Sequence, residues 1–357
     1  MQPALPLSNE PDSLCILRLS ALGDVTHVLP VVHAIRSRWP NTKITWIIGK
    51  LERKLLSHVG GVEFIEFDKR GGLAAVRHLR QVLRDRRFDA LLHMQVAVRA
   101  NILSRFVHAP VRLGWDRARS RDMHHWFTNH QVPAAPFQHQ VQGFLSFAQA
   151  LGAGPGQPVW NLPTTAADRS WVEAHVDLGT PLMVISPCSS HALRNWDANR
   201  YAAVADHAIA ALGMQVVISG GPGGLEQRTA AAIEAAMSKQ ALNLVGKDTL
   251  TQSIALLEQA DIVLSPDSGP AHIASAVGTP VIGLHAATWS LRSGPFRSLE
   301  LCVDHFREAA RRFRHCEPEE LRWGTRIEEP GVMDLVTVAE VIEKLESVPV
   351  GATHPAA

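Results

Sequence analysis

The 357-residue sequence lacks the features that define several large classes of protein. It contains no run of eighteen apolar residues, so we expect no transmembrane helix. Residues 1–12 contain no basic stretch leading into an apolar one, so we expect no secretory signal. The four cysteines are widely scattered and form no CxxC pair, which favours reduced thiols and a cytoplasmic protein.

Three ligand-binding signatures are also missing. The glycine-rich residues 220–224 fit neither GxGxxG after a first strand nor GxxxxGK[ST], so dinucleotide and P-loop sites are not predicted. The histidines of the first half lack a compact spacing with matching acidic residues or cysteines, so we predict no metal site. These histidines are His124, His125, His130 and His139.

Charge is divided unevenly along the chain. Residues 1–160 contain 20 Lys and Arg against 11 Asp and Glu, a net charge of about +9, and the remainder contains 15 against 23, about −8. A basic first half suits a polyanionic partner or an anionic membrane surface. The alternative, that arginines solvate one helix face, covers only part of the excess: Arg77, Arg80, Arg84, Arg86 and Arg87.

Short apolar strands alternate with amphipathic helices in both halves. Residues 14–19 read as a strand before a helix at 25–39, and residues 182–186 read as a strand before a helix at 199–212. This alternation predicts an α/β protein with parallel sheets covered on both faces. Glycines and prolines at 152–158 indicate a linker, giving predicted domains at 1–156 and 157–335 and a last helix with its tail at 336–357.

Residues 261–285 are the most informative stretch. They read as a strand, a turn that contains glycine and proline, a helix and a second strand. A helix start after a strand can bind an anion through backbone N–H groups and the helix dipole. The alternative to an anion site is that residues 261–285 are one more βαβ unit of an α/β protein. Asp267, Ser268, Gly269, Pro270 and His272 surround this helix start, where a lone histidine is usually a core or capping residue.

Two other loops follow predicted strands. Asp24 lies after the first strand, where ligands bind in open α/β folds, but the spacing alone favours a helix N-cap. Ser189, Ser190 and Arg194 could hold a diphosphate, because two hydroxyls and a guanidinium suit phosphate oxygens. Their alternative is the region that caps the helix beginning near Asp197.

Two motifs resemble those of one family. Residues 17–30, Leu-Arg-Leu-Ser-Ala-Leu-Gly-Asp-Val-Thr-His-Val-Leu-Pro, resemble the amino-terminal signature of the ADP-heptose:lipopolysaccharide heptosyltransferases, glycosyltransferase family 9. Residues 265–274 with Gly278-Thr279-Pro280 resemble its donor-site signature. The loop Ser189-Ser190 with Arg194-Asn195-Trp196 resembles its middle loop, and residues 114–122 its acceptor-side loop.

The resemblance implies a GT-B architecture, with two Rossmann-like domains facing across a cleft and a last helix that can cross back to the first domain. It implies inverting, metal-independent transfer of heptose from ADP-heptose, a co-substrate rather than a cofactor, to the Kdo-lipid A type inner core of lipopolysaccharide. Domain 1–156 would hold the acceptor and domain 157–335 the nucleotide-sugar. The partners would be that donor, a lipid-linked anionic saccharide and the inner face of the inner membrane, with no nucleic acid.

Site residues follow from the same resemblance. Asp24 matches the catalytic base. The donor-binding positions are Ser189, Ser190, Arg194, Trp196, Asp267, Ser268, Gly269, Pro270 and His272, and the acceptor-binding positions are Arg117, Arg119 and Arg121.

The sequence departs from the family pattern at three places. Arg194 stands where a Lys is common, residues 284–288 replace the usual Gly-Pro-Thr, and Gly224 takes the position of a Glu, with Glu226 close by. These departures bear on the sugar or base that is bound. A nucleotide-sugar epimerase, a transferase for another nucleotide-sugar and a non-catalytic binding module are the alternatives.

Overall fold

The chain folds into two compact units that divide between Pro163 and Thr164. The computed structural model describes residues 4–154 and 156–349. The predicted boundary at residue 156 precedes this division. Parts of three predicted segments lie outside the described residues, namely the first three residues of the chain, Pro155 in the linker, and the tail from residue 350.

The first unit contains one parallel sheet. Its strands in chain order are β1 (Ser13–Leu17), β2 (Lys43–Gly49), β3 (Glu63–Phe67), β4 (Ala90–His93), β5 (Val111–Gly114) and β6 (His130–Gln131). Its helices are α1 (Leu22–Thr26), α2 (Leu29–Arg38), α3 (Lys50–Leu55), α4 (Gly72–Leu83), α5 (Val98–Ser104) and α6 (Gln140–Leu151). In the described residues the strand order is β3-β2-β1-β4-β5-β6.

The second unit repeats this plan. Its strands are β7 (Leu182–Ile185), β8 (Gln215–Ile218), β9 (Leu242–Asn243), β10 (Ile262–Pro266), β11 (Val281–His285) and β12 (Val303–Asp304). Its helices are α7 (Ala166–Glu173), α8 (Ala198–Leu212), α9 (Gly224–Ala236), α10 (Leu250–Gln259), α11 (Gly269–Val277), α12 (Ser290–Ser293), α13 (Phe306–Arg314) and α14 (Val338–Ser347). Across the described strands the order is β12-β11-β10-β7-β8-β9.

Both sheets have the doubly wound order 3-2-1-4-5-6 when their strands are numbered within each unit. Every recorded strand pairing is parallel, including β1 with β4 and β7 with β10. The central strands are apolar and buried because helices cover both faces of a parallel sheet. The predicted α/β class is therefore confirmed.

One prediction about local structure needs correction. The single helix expected at 25–39 is two helices, α1 and α2, and Pro30 lies in the first turn of α2. Proline has no N–H to continue an earlier helix but suits a helix start. The stretch between β5 and α6 contains the short strand β6, which pairs with β5.

The last helix, α14, contributes to the core of the second unit. Val341 and Leu345 are buried in that core, and His207 Nε2 on α8 lies 2.9 Å from Glu346 Oε1. The predicted crossing of this helix to the first domain stays a prediction. No helix of the described chain combines the length and apolar character needed to cross a bilayer.

Candidate functional site

Each predicted site lies at the switch point of its own sheet, where chain connections from the two central strands run in opposite directions. In the first unit this point lies between β1 and β4, and in the second between β7 and β10. Doubly wound folds bind ligands outside the carboxyl ends of these strands, because the diverging loops leave a crevice there. Asp24 follows β1, Ser189 follows β7 and Asp267 follows β10.

Asp24 lies in the first turn of α1, three residues after the N-cap Ala21, rather than at the N-cap itself. Its Oδ2 accepts a hydrogen bond from the Ala21 amide at 3.0 Å and forms an ion pair with Arg18. Its Oδ1 accepts a hydrogen bond from Gln140 Nε2. The side chain nevertheless remains 22% exposed, so a ligand can reach the carboxylate.

Arg18 and Gln140 are site residues that sequence reasoning did not assign. Arg18 Nη1 donates to the Met94 carbonyl at 2.7 Å, and its guanidinium lies 5.2 Å from the centroid of the Phe144 ring. These contacts fix the guanidinium that holds Asp24. Arg18 lies inside the amino-terminal motif, which could have identified it, but no local signal marks Gln140.

The predicted acceptor loop is only partly exposed. Arg117 and Arg121 are exposed, as expected for residues that meet a charged ligand. Arg119 is different, because it pairs with the buried Asp116 and lies over the Trp115 ring at 4.9 Å. Its Nη1 also donates to Gln138 Oε1 at 3.0 Å. The Arg119 guanidinium therefore holds this loop, and its assignment to the acceptor stays a prediction.

The loop after β7 brings Arg194 and Ser190 together. Arg194 is buried, and its Nη2 donates to Ser190 Oγ at 2.7 Å. The Nε atom lies 3.3 Å from Glu328 Oε1. Burial lowers the pKa of the guanidinium and Arg326 lowers it further, while Asp267 and Glu328 oppose the change. Arg194 therefore lies near the carboxylate that follows β10, as a shared site requires.

Two other residues of this loop have structural contacts. The Ser189 hydroxyl donates to the His191 carbonyl at 2.9 Å, which shapes the turn. Trp196 is buried in the core, where its Nε1 donates to the Val336 carbonyl at 3.0 Å and its ring packs edge-on against Tyr201. The Trp196 side chain is thus inside the fold, and its assignment to the donor site stays a prediction.

Asp267 is held on both oxygens. His272 Nε2 lies 3.4 Å from Oδ1, and Ser293 Oγ donates to Oδ2 at 3.0 Å. Burial would raise the pKa of Asp267, but the hydrogen bond and charge of His272, with the charges of His285 and Arg292, lower it well below its usual range. Asp267 thus stays ionised, and its pairing with His272 makes His272 a structural partner of this carboxylate.

The start of α11 offers fewer amide donors than its sequence suggests. Ser268 is the N-cap and its Oγ accepts from the Ala271 amide at 3.5 Å, while Pro270 has no N–H. The His272 amide bonds to the Ser268 carbonyl at 3.4 Å. Among residues 269–272, the Gly269 amide is therefore the N–H group that these contacts leave available to a ligand. Gly278, with φ of 100°, ends the helix.

His285 ends β11 beside this site and belongs to residues 284–288, where the sequence departs from the family pattern. Its ring is buried, its Nδ1 lies 3.2 Å from Thr288 Oγ1, and within the described chain its Nε2 has no hydrogen-bond partner. Gly283 makes room for the ring, because a Cβ there would lie 3.0 Å from both His285 Nε2 and Cys302 Sγ. His285 thus adds to the cationic surroundings of Asp267.

The two sites therefore have different chemistry. The first presents a partly exposed carboxylate beside a guanidinium and an amide, which suits proton transfer. The second gathers Arg194, Arg292 and His285 around one ionised carboxylate, which suits an anionic group. Over residues 4–154 and 156–349, no group of three or more His, Cys, Asp and Glu side chains is arranged to hold a metal ion.

Comparison with known proteins places most of the chain in one family. Residues 76–321 match the model of glycosyltransferase family 9 (heptosyltransferase). The chain is 38% identical over 343 residues to the lipopolysaccharide core heptosyltransferase OpsX of Haemophilus influenzae, covering 96% of this chain and 99% of that protein.

Solved structures show the same fold. The ADP-heptose lipopolysaccharide heptosyltransferase II of E. coli superposes with a TM-score of 0.73 at 20% identity, over 94% of this chain and 98% of that one. The E. coli heptosyltransferase WaaC with ADP gives a TM-score of 0.70 at 18% identity, over 94% and 100%. The predicted GT-B fold class with two Rossmann-like halves is confirmed. The chain belongs to glycosyltransferase family 9, the heptosyltransferases, and is a glycosyltransferase.

Proposed function

We propose that this enzyme transfers a heptose from ADP-heptose to the inner core of lipopolysaccharide, on a Kdo-lipid A type acceptor, with inversion at the anomeric carbon. The observation that carries the proposal is the position of Asp24, whose two oxygens are held by Arg18, Ala21 and Gln140 at the switch point of the first sheet. The similarity to a lipopolysaccharide core heptosyltransferase over nearly the whole chain supports the choice of sugar and acceptor.

In the proposed reaction an acceptor hydroxyl attacks the anomeric carbon of the donor. The new carbon–oxygen bond forms as the bond from that carbon to the diphosphate breaks, and ADP leaves with the bonding electrons. The Asp24 carboxylate takes the hydroxyl proton, which is general base catalysis. Because one displacement occurs at the carbon, its configuration inverts.

The donor diphosphate would bind in the second unit. Arg194 and the Ser190 hydroxyl lie 2.7 Å apart and can both donate to phosphate oxygens, with the Gly269 amide as a further donor. Ser189 shapes that loop. Asp267 is anionic, so we assign it to a sugar hydroxyl rather than to phosphate. No cofactor or metal enters this scheme; we propose that chelators leave the rate unchanged.

The acceptor would meet the basic first unit. Arg117 and Arg121 are exposed there and can pair with the acidic sugars and phosphates of a lipid-linked saccharide. We propose that the enzyme works in the cytoplasm, as a peripheral protein at the inner face of the inner membrane. The net charge of about +9 over residues 1–160 supports contact with an anionic membrane surface and with an anionic saccharide acceptor.

The test is an assay of purified enzyme with ADP-heptose and a Kdo-lipid A acceptor. We expect ADP release that depends on acceptor and a heptosylated product whose anomeric configuration, read by NMR, is opposite to that of the donor. Conversion of the donor sugar without acceptor would indicate an epimerase instead. A panel of nucleotide-sugars should show thermal stabilisation by ADP-heptose, about 2.7 kcal/mol at 100 times its dissociation constant.

A further inference from the structure

Large apolar side chains are exposed on one part of the first unit. Trp126 is 68% exposed, and Val98, Ile102 and Met123 are each 51% exposed. Val98 and Ile102 are four residues apart on α5, so they lie on the same face of that helix. Met123 and Trp126 come from the loop after β5. We call these four residues the apolar patch.

Asn101 joins the two halves of the apolar patch. Its side-chain amide donates to the Asp122 carbonyl at 2.8 Å, and its Oδ1 lies 2.9 Å from His124 Nδ1. Asn101 is on α5, while Asp122 and His124 flank Met123. The loop is therefore fixed against the helix, so the four apolar side chains belong to one surface rather than to two unrelated segments.

The loop holds Met123 in an uncommon conformation. Asp122 and Met123 have φ values of 52° and 57°, in the left-handed region that residues other than glycine rarely adopt. Such backbone conformations persist only where the surroundings impose them, and they cost on the order of 1–3 kcal/mol each. Here buried contacts of Asn101 and His124 maintain a conformation that leaves Met123 exposed to solvent.

Cationic side chains surround the apolar patch. Residues 98–126 contain six arginines and two aspartates. Of these, Arg112 and Arg119 make internal contacts, Arg119 with Asp116. The exposed charges are four guanidinium groups and the carboxylate of Asp122, so the surface around the patch is positive: Arg99, Arg105, Arg117 and Arg121.

We propose that the apolar patch and its surrounding arginines dock the enzyme on an anionic lipid bilayer. Tryptophan, methionine and branched aliphatic side chains can enter the boundary between head groups and acyl chains, while each arginine at an anionic surface contributes about 1 kcal/mol. Charge complementarity favours this occupant over a second copy of the chain, whose patch would carry the same positive charge. This inference rests on the proposed lipid-linked acceptor, whose sugar would be presented at the same surface.

The position of the patch suits that role. Helix α5 follows β4, the strand beside β1, and Asp24 follows β1. Arg18, which holds Asp24, bonds to the carbonyl of Met94 at the end of β4. Docking through α5 therefore brings the carboxyl edge of the first sheet, and Asp24 with it, toward the bilayer that carries the acceptor.

The test measures binding of the whole enzyme to vesicles of phosphatidylglycerol and of phosphatidylcholine by flotation. The variant is Ile102→Ala with Trp126→Ala, and the matched control is Leu178→Ala with Leu242→Ala, two leucines exposed in the second unit. We expect the wild type and the control to bind phosphatidylglycerol equally, the variant to bind at least tenfold more weakly, and 0.5 M salt to weaken wild-type binding. Thermal unfolding checks that both double variants are folded.

Three results would overturn the proposal: no binding of the wild type to phosphatidylglycerol, equal binding to phosphatidylcholine, or equal binding by the variant. Loss of a wild-type dimer in the variant, with vesicle binding unchanged, would assign the patch to self-association. Transfer activity separates this inference from the proposed function. The variant should transfer sugar normally to a delipidated acceptor and poorly to an acceptor embedded in vesicles. If the wild type is inactive on both acceptors, the proposed function is rejected, but the measurement of vesicle binding still stands.

Discussion

The two units share one strand order but place opposite chemistry at their switch points. In the first unit the carboxylate after β1, Asp24, is 22% exposed and held by Arg18 and Gln140. In the second unit the carboxylate after β10, Asp267, is nearly enclosed and held by His272 and Ser293. The comparison shows that topology fixes where a functional group lies, while its neighbours determine whether it can react or only anchor.

Charge sharpens the contrast. The second half of the chain has a net charge of about −8, yet the surroundings of Asp267 contain Arg194, Arg292 and His285. The first half is basic as a whole, and its exposed arginines include Arg117 and Arg121 on the loop after β5. Net charge over half of the chain therefore does not predict the charge around a single buried carboxylate.

The largest expected effect concerns Asp24. Replacing it with Asn should lower kcat by about 10²–10⁴-fold, because a general base contributes that much, while the donor dissociation constant stays nearly unchanged. Steady-state turnover and calorimetric titration of donor measure the two quantities. Asp85→Asn, an exposed carboxylate of the same unit, should leave both unaltered. Near-normal turnover in Asp24→Asn would remove this residue as the base.

The next prediction compares the pH dependence of the two units. Burial, with a smaller effect from the charge of His125, lowers the pKa of His124 from 6.5 to about 4, so protons bind the unfolded chain first as pH falls. The free energy of unfolding should be at its highest above pH 6.5 and should decrease by about 3 kcal/mol as the pH falls to 4. Burial also lowers the pKa of His93, whose ring packs on His124, which adds to this slope.

Urea unfolding at a series of pH values measures this slope. His124→Gln should flatten it, because the amide does not titrate. Asp267→Asn should leave the slope between pH 6.5 and 4 intact, since the lowered pKa of Asp267 gives stability that is present above its ordinary value of 3.8 and lost only below it. A similar change in both variants would contradict the assignment of this range to the first unit.

A smaller effect is expected at Arg194. Arg194→Ala should raise the donor dissociation constant about 10–100-fold, because a charge-assisted hydrogen bond contributes about 1.5–3 kcal/mol. Arg194→Lys should give an intermediate value, since it keeps the charge but loses the planar fork that binds two oxygens. Arg311→Ala, an exposed arginine of the same unit, is the control. Unchanged donor binding in folded Arg194→Ala would exclude it from the donor site.

The smallest effects are expected at Arg119 and Arg121, two arginines of one loop that should differ in their effects on stability and on acceptor binding. Arg119→Ala should lower the free energy of unfolding by about 1–3 kcal/mol, because the buried Asp116 loses its cationic partner. Arg121→Ala should change stability by less than about 0.5 kcal/mol and raise the acceptor KM a few-fold, as one exposed charge does. Chemical unfolding and acceptor kinetics measure the pair. The reverse pattern would show that Arg119, rather than Arg121, meets the acceptor.

The sequence was sufficient to predict most strands and the placement of Asp24, Ser189 and Asp267 after β1, β7 and β10. Local signals mark these elements. The strand β10 is an apolar run, and the helix that follows it begins at a turn with Ser268 and Pro270 and ends at Gly278. The hydrogen bond from Gln140 to Asp24 could not be predicted, because it joins residues 116 positions apart. The burial of the Trp196 side chain could not be predicted either, because proximity to a polar loop does not reveal which way a side chain packs.

The hydrogen bond from Gln140 also has a consequence for synthesis of the chain. Gln140 opens α6, the last helix of the first unit, whereas Asp24 belongs to α1. A nascent chain therefore cannot form the hydrogen bond between Gln140 and Asp24 until the ribosome has made nearly all of the first unit. Asp24 would become correctly held only when that unit is whole, and a fragment truncated before α6 would contain the residue without its final anchor.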